Sequence, residues 1–310
     1  MASSCPVCSS NSEFYQLYRS LNKAFNKINI SKCDKCDLYF ADPMPSDEEL
    51  KDYNLNYWQN AHGISNNSKG PFKANPFFSM LAAIRLQYIL DNHQIGPGRV
   101  SILEIGPGSG EFASLVVNQL KNLEYTAIET DESHHLFLKS IGVNLISQID
   151  LNTEQKAFDI IVVSHVLEHV NNPCNFLCDL SEHINESGII FIEVPCLDFV
   201  FNSIDEPHLL FFDKPSLATL LYKSSLCPLL LSYHGAVTDS NYYSTLMILV
   251  RKIIYKMARN WPGLLRCLPN DNRMKFIENE QQRILAYLHM PHVTNCIPSA
   301  WIRCIATKAA

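Results

Sequence analysis

No apolar stretch of this chain approaches the ~18 residues that a membrane-crossing helix requires. The longest candidate, Leu246-Met247-Ile248-Leu249-Val250, ends against Arg251 and Lys252. The first residues, Met1 to Cys5, lack the basic stretch and apolar core of a secretory leader. Basic charge is scarce as well: 25 Lys and Arg stand against 31 Asp and Glu, a net charge of −6 that argues against a general nucleic-acid binder. Charged residues make up only 18% and apolar ones 47%, which excludes a disordered chain. A disulfide framework is missing too. Of eleven cysteines, the seven at Cys174, Cys178, Cys196, Cys227, Cys267, Cys296 and Cys304 are scattered and odd in number, as expected of reduced thiols packed like small apolar side chains. These absences read as a soluble, cytoplasmic protein, and 310 residues suffice for one large domain plus a small module.

Glycine is concentrated where it matters. Val100 to Ile105 is an apolar run that reads as a buried strand, and it leads into Gly106-Pro107-Gly108-Ser109-Gly110. A helical pattern follows, with Phe112, Leu115, Val116 and Leu120 on one face. Glycines in such a turn let backbone approach a ligand, and the N–H groups of the next helix then face it. Glu104, two residues before the first glycine, is a fixed negative charge of little use beside a nucleotide phosphate. It suits a cationic ligand, such as the sulfonium and α-amino groups of S-adenosylmethionine.

Glu104-x-Gly106-x-Gly108-x-Gly110 resembles the glycine-rich motif of class I S-adenosylmethionine-dependent methyltransferases, and further motifs follow in order. Tyr125 to Ile128 reads as a second strand ending in Glu129, about 20 residues after the turn, where an acidic residue can accept ribose hydroxyls. Phe158 to Val170 is similar to the family's fourth strand and its Leu-Glu-His signature, and Gly188 to Pro195 to its fifth strand. A dinucleotide dehydrogenase would want a third glycine at position 111, where this chain has Glu111. The resemblance spans roughly residues 95 to 235. It implies a doubly wound, mostly parallel, seven-stranded Rossmann-like α/β sheet. It also implies a donor site framed by Glu104, Gly106, Gly108, Gly110 and Glu129 and lined by Ser164 and His165, with Asp150 at the adenine.

Cys5-Pro6-Val7-Cys8 and Cys33-Asp34-Lys35-Cys36 form two thiolate knuckles, enough for a tetrahedral ion. Zinc suits four thiolates, with a rubredoxin-like iron site the alternative. Four protein ligands leave no open position, so the ion is structural in this reading. The intervening hairpin, Phe14 to Tyr18 with Asn29 to Lys32, is too small to bury a core alone, so metal should supply folding free energy. The stretch from Leu38 to Leu50, with Tyr53 and Tyr57-Trp58 after it, is similar to the start of zinc-containing methyltransferases that include the sugar-nucleotide C-methyltransferases. In that group the intervening aromatics lie near the donor. The large C-terminal domain of that group has no counterpart here.

The expected organisation is a zinc-ribbon-like module over residues 1–58, a linker and packing helix over 59–94, and the methyltransferase domain over 95–310. A helical insertion occupies about 239–298, before the last strand. His208, in a His-x-x-Phe-Phe element after the fifth strand, resembles the family's position for a general base, with Glu206 able to assist. A structural histidine capping the loop is the competing reading. Ubiquinone-type O-methyltransferases resemble the segment at His165, Glu168 and His169 but carry Glu-x-x-Glu-His, a cluster that can hold a divalent metal; here His165 replaces the first glutamate. The expected activity is methyl transfer to carbon or oxygen of a small-molecule acceptor, such as a sugar nucleotide or secondary metabolite. An RNA methyltransferase and a non-catalytic interaction protein are the alternatives, and nucleic acid is the weaker partner given the acidic charge.

Overall fold

The computed structural model describes residues 3–18, 25, 28–62, 75–96, 98–148, 151, 153, 156–201, 207–238, 250, 253–254, 256–257, 275–277, 282–283, 286 and 298–309. The expected linker over 60–74 and the helical insertion over 239–298 lie largely outside them, as do Asp150 and Glu206.

The N-terminal residues form a small antiparallel sheet of β1 (Ser12–Leu17), β2 (Asn29–Cys33) and β3 (Tyr39–Asp42). Three short helices follow the chain toward the main sheet. α1 (Asp47–Asn54) starts at Ser46, which exchanges hydrogen bonds with Glu49 in a capping box. α2 is Tyr57–His62. α3 (Pro76–Asn92) begins with Asn75 accepting from the Phe77 N–H and a proline in the first turn, where no N–H is needed. Its apolar residues Leu81, Ile84, Leu86 and Ile89 are buried.

The main sheet has seven strands. β4 (Val100–Ile105), β5 (Leu123–Ile128), β6 (Asn144–Leu145), β7 (Phe158–Ser164) and β8 (Ile184–Pro195) pair in parallel. β10 (Leu226–Val237) and β11 (Ser299–Lys308) complete it in the order β10-β11-β8-β7-β4-β5-β6. β11 runs antiparallel to both neighbours. The parallel strands are near-continuous apolar runs such as Ile160 to Val163, because helices cover both faces. Those helices include α4 (Glu111–Gln119), α5 (His135–Ser140), α6 (Pro173–Glu182) and α7 (Lys214–Lys223). The expected doubly wound, mostly parallel, seven-stranded sheet is therefore the observed architecture.

The cysteine-bearing module does not stand apart. The two-residue strand β9 (Leu210–Phe211), from the loop before α7, pairs with β3 and becomes the fourth strand of the N-terminal sheet. Ile30, Leu38 and Phe40 pack in one continuous core with Ile161, Leu177 and Phe211. The small hairpin thus obtains apolar burial from the large domain, a source that its own length hides. Phe211 is fully buried at this seam, its ring 4.9 Å from Phe199 and 6.2 Å from Tyr18. Truncating it leaves a cavity between the two sheets. Phe211→Ala is expected to lower unfolding free energy by about 3–5 kcal/mol, read from the midpoint of urea unfolding.

Candidate active site at the carboxyl end of the parallel sheet

Strand β4 pairs with β5 on one side and β7 on the other, so chain connections diverge at its carboxyl end and leave a crevice there. The glycine turn fills this position. Gly106, Gly108 and Gly110 all have left-handed backbone, with φ of 65°, 54° and 79°. At two of them space is also short: a Cβ on Gly106 would meet the Val166 side chain at 2.8 Å, and one on Gly110 would meet Leu138 at 2.9 Å. Gly110 is the N-cap of α4.

A cavity of about 430 Å³ opens over this turn. Glu104, Gly106, Gly108, Glu129, Ser164 and His165 line it, so six of the residues expected from sequence meet in one place. Gly110 lies at the start of α4 just behind them. Trp58, Phe77, Phe78, Leu81 and Trp301 supply apolar walls. Trp58 is held there by its backbone N–H, which donates to Asp131 Oδ2 at 3.0 Å, and its ring meets His134 edge-on at 5.1 Å.

Two acidic side chains frame the turn differently. Glu104 is 4% exposed and accepts from the Tyr125 hydroxyl at 2.5 Å. Burial pushes its pKa up to about 7, against the opposing pull of that hydroxyl and the Arg85 charge. Glu129 follows β5. Its two oxygens accept the Gly108 and Asp131 N–H groups, each at 2.8 Å, which ties the tip of β5 to the glycine turn. Desolvation raises its pKa as well.

Behind the cavity lies an ionic cluster that the sequence reading missed. The Glu193 carboxylate on β8 is fully buried. It accepts from Arg85 Nε at 2.7 Å and from Arg303 Nε at 2.5 Å, and the nearer Arg85 Nη2 lies at 2.6 Å. His165 Nε2 is 3.3 Å from the same carboxylate, and His165 Nδ1 is 3.3 Å from Glu168. Those two carboxylates outweigh the desolvation of the ring and raise the His165 pKa to about 9. His165 also has left-handed backbone, φ 55°, at the end of β7. The available signal was a charged residue flanked by apolar ones at three places: Arg85 in α3, Glu193 in β8 and Arg303 in β11.

His208 is not among the residues that line the cavity. Its Nδ1 meets Asp198 Oδ2 at 2.7 Å, and its ring lies 4.9 Å from that of His169. The histidines in the cavity wall are His165 and His169.

In the N-terminal module Cys5, Cys8, Cys33 and Cys36 bring their sulfurs within 4.8 Å of one another. Cys5 and Cys36 are 3.6 Å apart, Cys8 and Cys33 3.3 Å. Hydrogen bonding from Cys36 is the largest influence on Cys5 and pulls its pKa to about 5, while the same contact pushes that of Cys36 up. Such a set of four thiols could hold a tetrahedral metal ion.

The raised pKa of Glu104 makes a stability prediction. A carboxyl with folded pKa of about 7 and an ordinary value of 4.5 favours the fold below the lower value, and that contribution is lost as pH rises through the upper one. Glu104→Gln removes this loss. The variant is expected to gain stability over wild type between about pH 5 and pH 8, reaching roughly 3 kcal/mol, measured by denaturant unfolding of the ligand-free protein at each pH.

A family model described as a methyltransferase domain matches residues 81–226. The ubiquinone biosynthesis O-methyltransferase of Rickettsia canadensis (strain McKiel) is 32% identical over 119 residues, covering 35% of this chain and 50% of the relative. A probable (S)-tetrahydroprotoberberine N-methyltransferase of Papaver bracteatum is 26% identical over 147 residues, 43% of this chain and 40% of the relative. The chain thus spans about half the length, or less, of these curated relatives. A solved S-adenosylmethionine-dependent methyltransferase from Archaeoglobus fulgidus aligns over 74% of this chain and 94% of its own, with 18% identity and a TM-score of 0.46. Over residues 81–226, from the helix that carries Arg85 through all five parallel strands, the chain carries a methyltransferase domain.

Proposed function

We propose that the protein transfers a methyl group from S-adenosylmethionine to a small-molecule acceptor. The observation that carries this reading is the pairing of two carboxylates, buried Glu104 and half-buried Glu129, with a left-handed glycine turn at the mouth of one cavity. The donor set fits the cofactor. Glu104 is a buried negative charge for a cationic group. Glu129 keeps free lone pairs for hydroxyl donors beyond its two backbone contacts. The turn exposes backbone without side chains. When bound, S-adenosylmethionine supplies a methyl group already activated by a sulfonium, so the protein's task is mainly to orient the acceptor and keep water out. Trp58 and the aromatic walls Phe77, Phe78 and Trp301 supply the apolar surface for that task. The known relatives named above act on small molecules, and the cavity size suits such an acceptor.

Calorimetry with S-adenosylmethionine is the direct test. Wild type should bind, with affinity reduced about 10–100-fold in Glu129→Ala and abolished by the strained side chain of Gly108→Val. No binding by folded wild type would refute the reading and favour a non-catalytic interaction protein.

We also assign a structural zinc ion to Cys5, Cys8, Cys33 and Cys36. Their mutual distances support it, and four protein ligands complete a tetrahedral site. Purified protein is expected to hold this ion, and Cys8→Ser to lose it. Because the site contributes folding energy, chelation should lower the unfolding temperature of wild type and leave that of Cys8→Ser unchanged. Equal thermal shifts in both proteins would count against the assignment.

A further inference from the structure

The strand order sorts the cavity wall by charge. Glu104 lies on β4, Glu129 follows β5, and Glu111 opens α4 after the glycine turn. His165 follows β7, on the other side of β4 from β5, and Trp301 lies further across on β11. Arg85 reaches the same wall from α3. A sulfonium donor is served by the acidic side, which leaves the basic side for the acceptor.

His165 is a fixed cation there. Its Nε2 and Nδ1 each face a carboxylate at 3.3 Å, that of Glu193 and that of Glu168. An ionised carboxylate only accepts, so both ring nitrogens carry protons. Glu193 stays ionised between Arg85 and Arg303. Burial opposes the charge on Glu168, but the facing ring outweighs it and holds that carboxyl below the usual range. Desolvation likewise opposes the charge on His165, and the two carboxylates outweigh it to give a pKa of about 9. With no unprotonated nitrogen, His165 takes no proton from an acceptor; what it offers is charge. Arg85, Arg303 and His165 stand against Glu168 and Glu193, so the cluster keeps one positive charge in excess. That excess opens on the cavity. The His165 side chain is 33% exposed and that of Arg85 15%, whereas Arg303, Glu168 and Glu193 are at 3% or less.

We propose that the acceptor carries an anionic oxygen group of the carboxylate type on an apolar body, and that His165 selects it. The inference rests on the methyl-transfer reading and names the substrate class of that site. An uncompensated charge in a half-buried wall is costly until a counter-charge meets it. Trp301, whose ring stands edge-on to His165 at 6.2 Å, forms with Phe77, Phe78 and Leu81 the apolar wall for the rest of such a molecule. A protonated amine of the same shape is repelled by the same charge, so the cavity selects against cationic acceptors. The donor's own carboxylate is the other anion within reach of this charge. The two sources separate when the donor site is already filled with S-adenosylhomocysteine, the donor after loss of its methyl group.

Calorimetry on the full chain tests this with three probes of one shape: 2-naphthoate, 2-naphthamide and 2-naphthylmethylamine. Each is titrated at about pH 7.5, below the His165 pKa, with and without saturating S-adenosylhomocysteine. Wild type filled with S-adenosylhomocysteine should bind naphthoate about tenfold or more tightly than the amide, and the amine most weakly. His165→Asn keeps a residue that tolerates left-handed backbone but removes the charge. Its preference for naphthoate should fall below about threefold. If that variant fails to fold, wild type decides by pH. Naphthoate binding should weaken as pH rises to about 10, through the His165 pKa, while amide binding holds. Equal affinities for acid and amide, no binding of naphthoate, or a preference that survives in His165→Asn overturns the proposal. So does a preference seen in the ligand-free protein and lost with S-adenosylhomocysteine, which would give the charge to the donor's carboxylate. Failure to bind S-adenosylhomocysteine, with naphthoate still preferred, would instead overturn the methyl-transfer reading alone.

Discussion

Three basic groups converge on the carboxylate of Glu193, and the geometry of the cavity follows from that convergence. Arg85 comes from α3, Arg303 from β11 and His165 from the turn after β7, while Glu193 itself sits on β8. A charge with no exposed surface is tolerable only when its partners are equally fixed, and removing one partner of such a cluster typically costs about 3–5 kcal/mol. The cluster therefore pins α3 over the sheet. It also holds the left-handed His165 against Glu193 and Glu168, beside the glycine turn. Glu104 feels the same field, because the Arg85 charge opposes the desolvation that raises its pKa.

Much of this was legible in the residue order. The strand–glycine–helix unit at Val100 to Gln119, the acidic tip at Glu129 and the apolar strands of the parallel sheet follow from local pattern, and they stand where the pattern put them. Paired Cys-x-x-Cys spacing likewise marked four sulfurs that converge. What escaped reading was everything that depends on a partner distant in sequence. Arg85 and Arg303 are separated from Glu193 by 108 and 110 positions, and a charge set among apolar residues does not say which distant partner it will meet. The seam at β9 escaped for the same reason, since two residues carry no periodicity of their own.

His208 illustrates how topology changes the meaning of a motif. From sequence it was a candidate base facing an acceptor. In the fold its chain segment turns back to pair with β3, which draws His208 toward Asp198 and Glu168 while His169 takes the place in the cavity wall. The same pairing makes the N-terminal sheet and the side of the cavity that holds His169 share one wall of core, with Phe40 opposite Leu210 and Tyr39 opposite Phe211. A disturbance of the cysteine cluster thus has a short route to the functional residues, through β3 and β9.

The position of β11 carries a consequence for biosynthesis. This strand is laid between β8 and β10, and it brings Arg303 to Glu193. A ribosome releases residues 299–308 only after every other strand of the sheet. Until then, the nascent chain presents the bare edge of β8, rich in Ile and Phe, with one of the partners of Glu193 not yet made. Such an edge is a template for pairing with other chains. The last step of sheet assembly is thus also the step that completes the ionic cluster, so closure of the sheet and maturation of the cavity occur together.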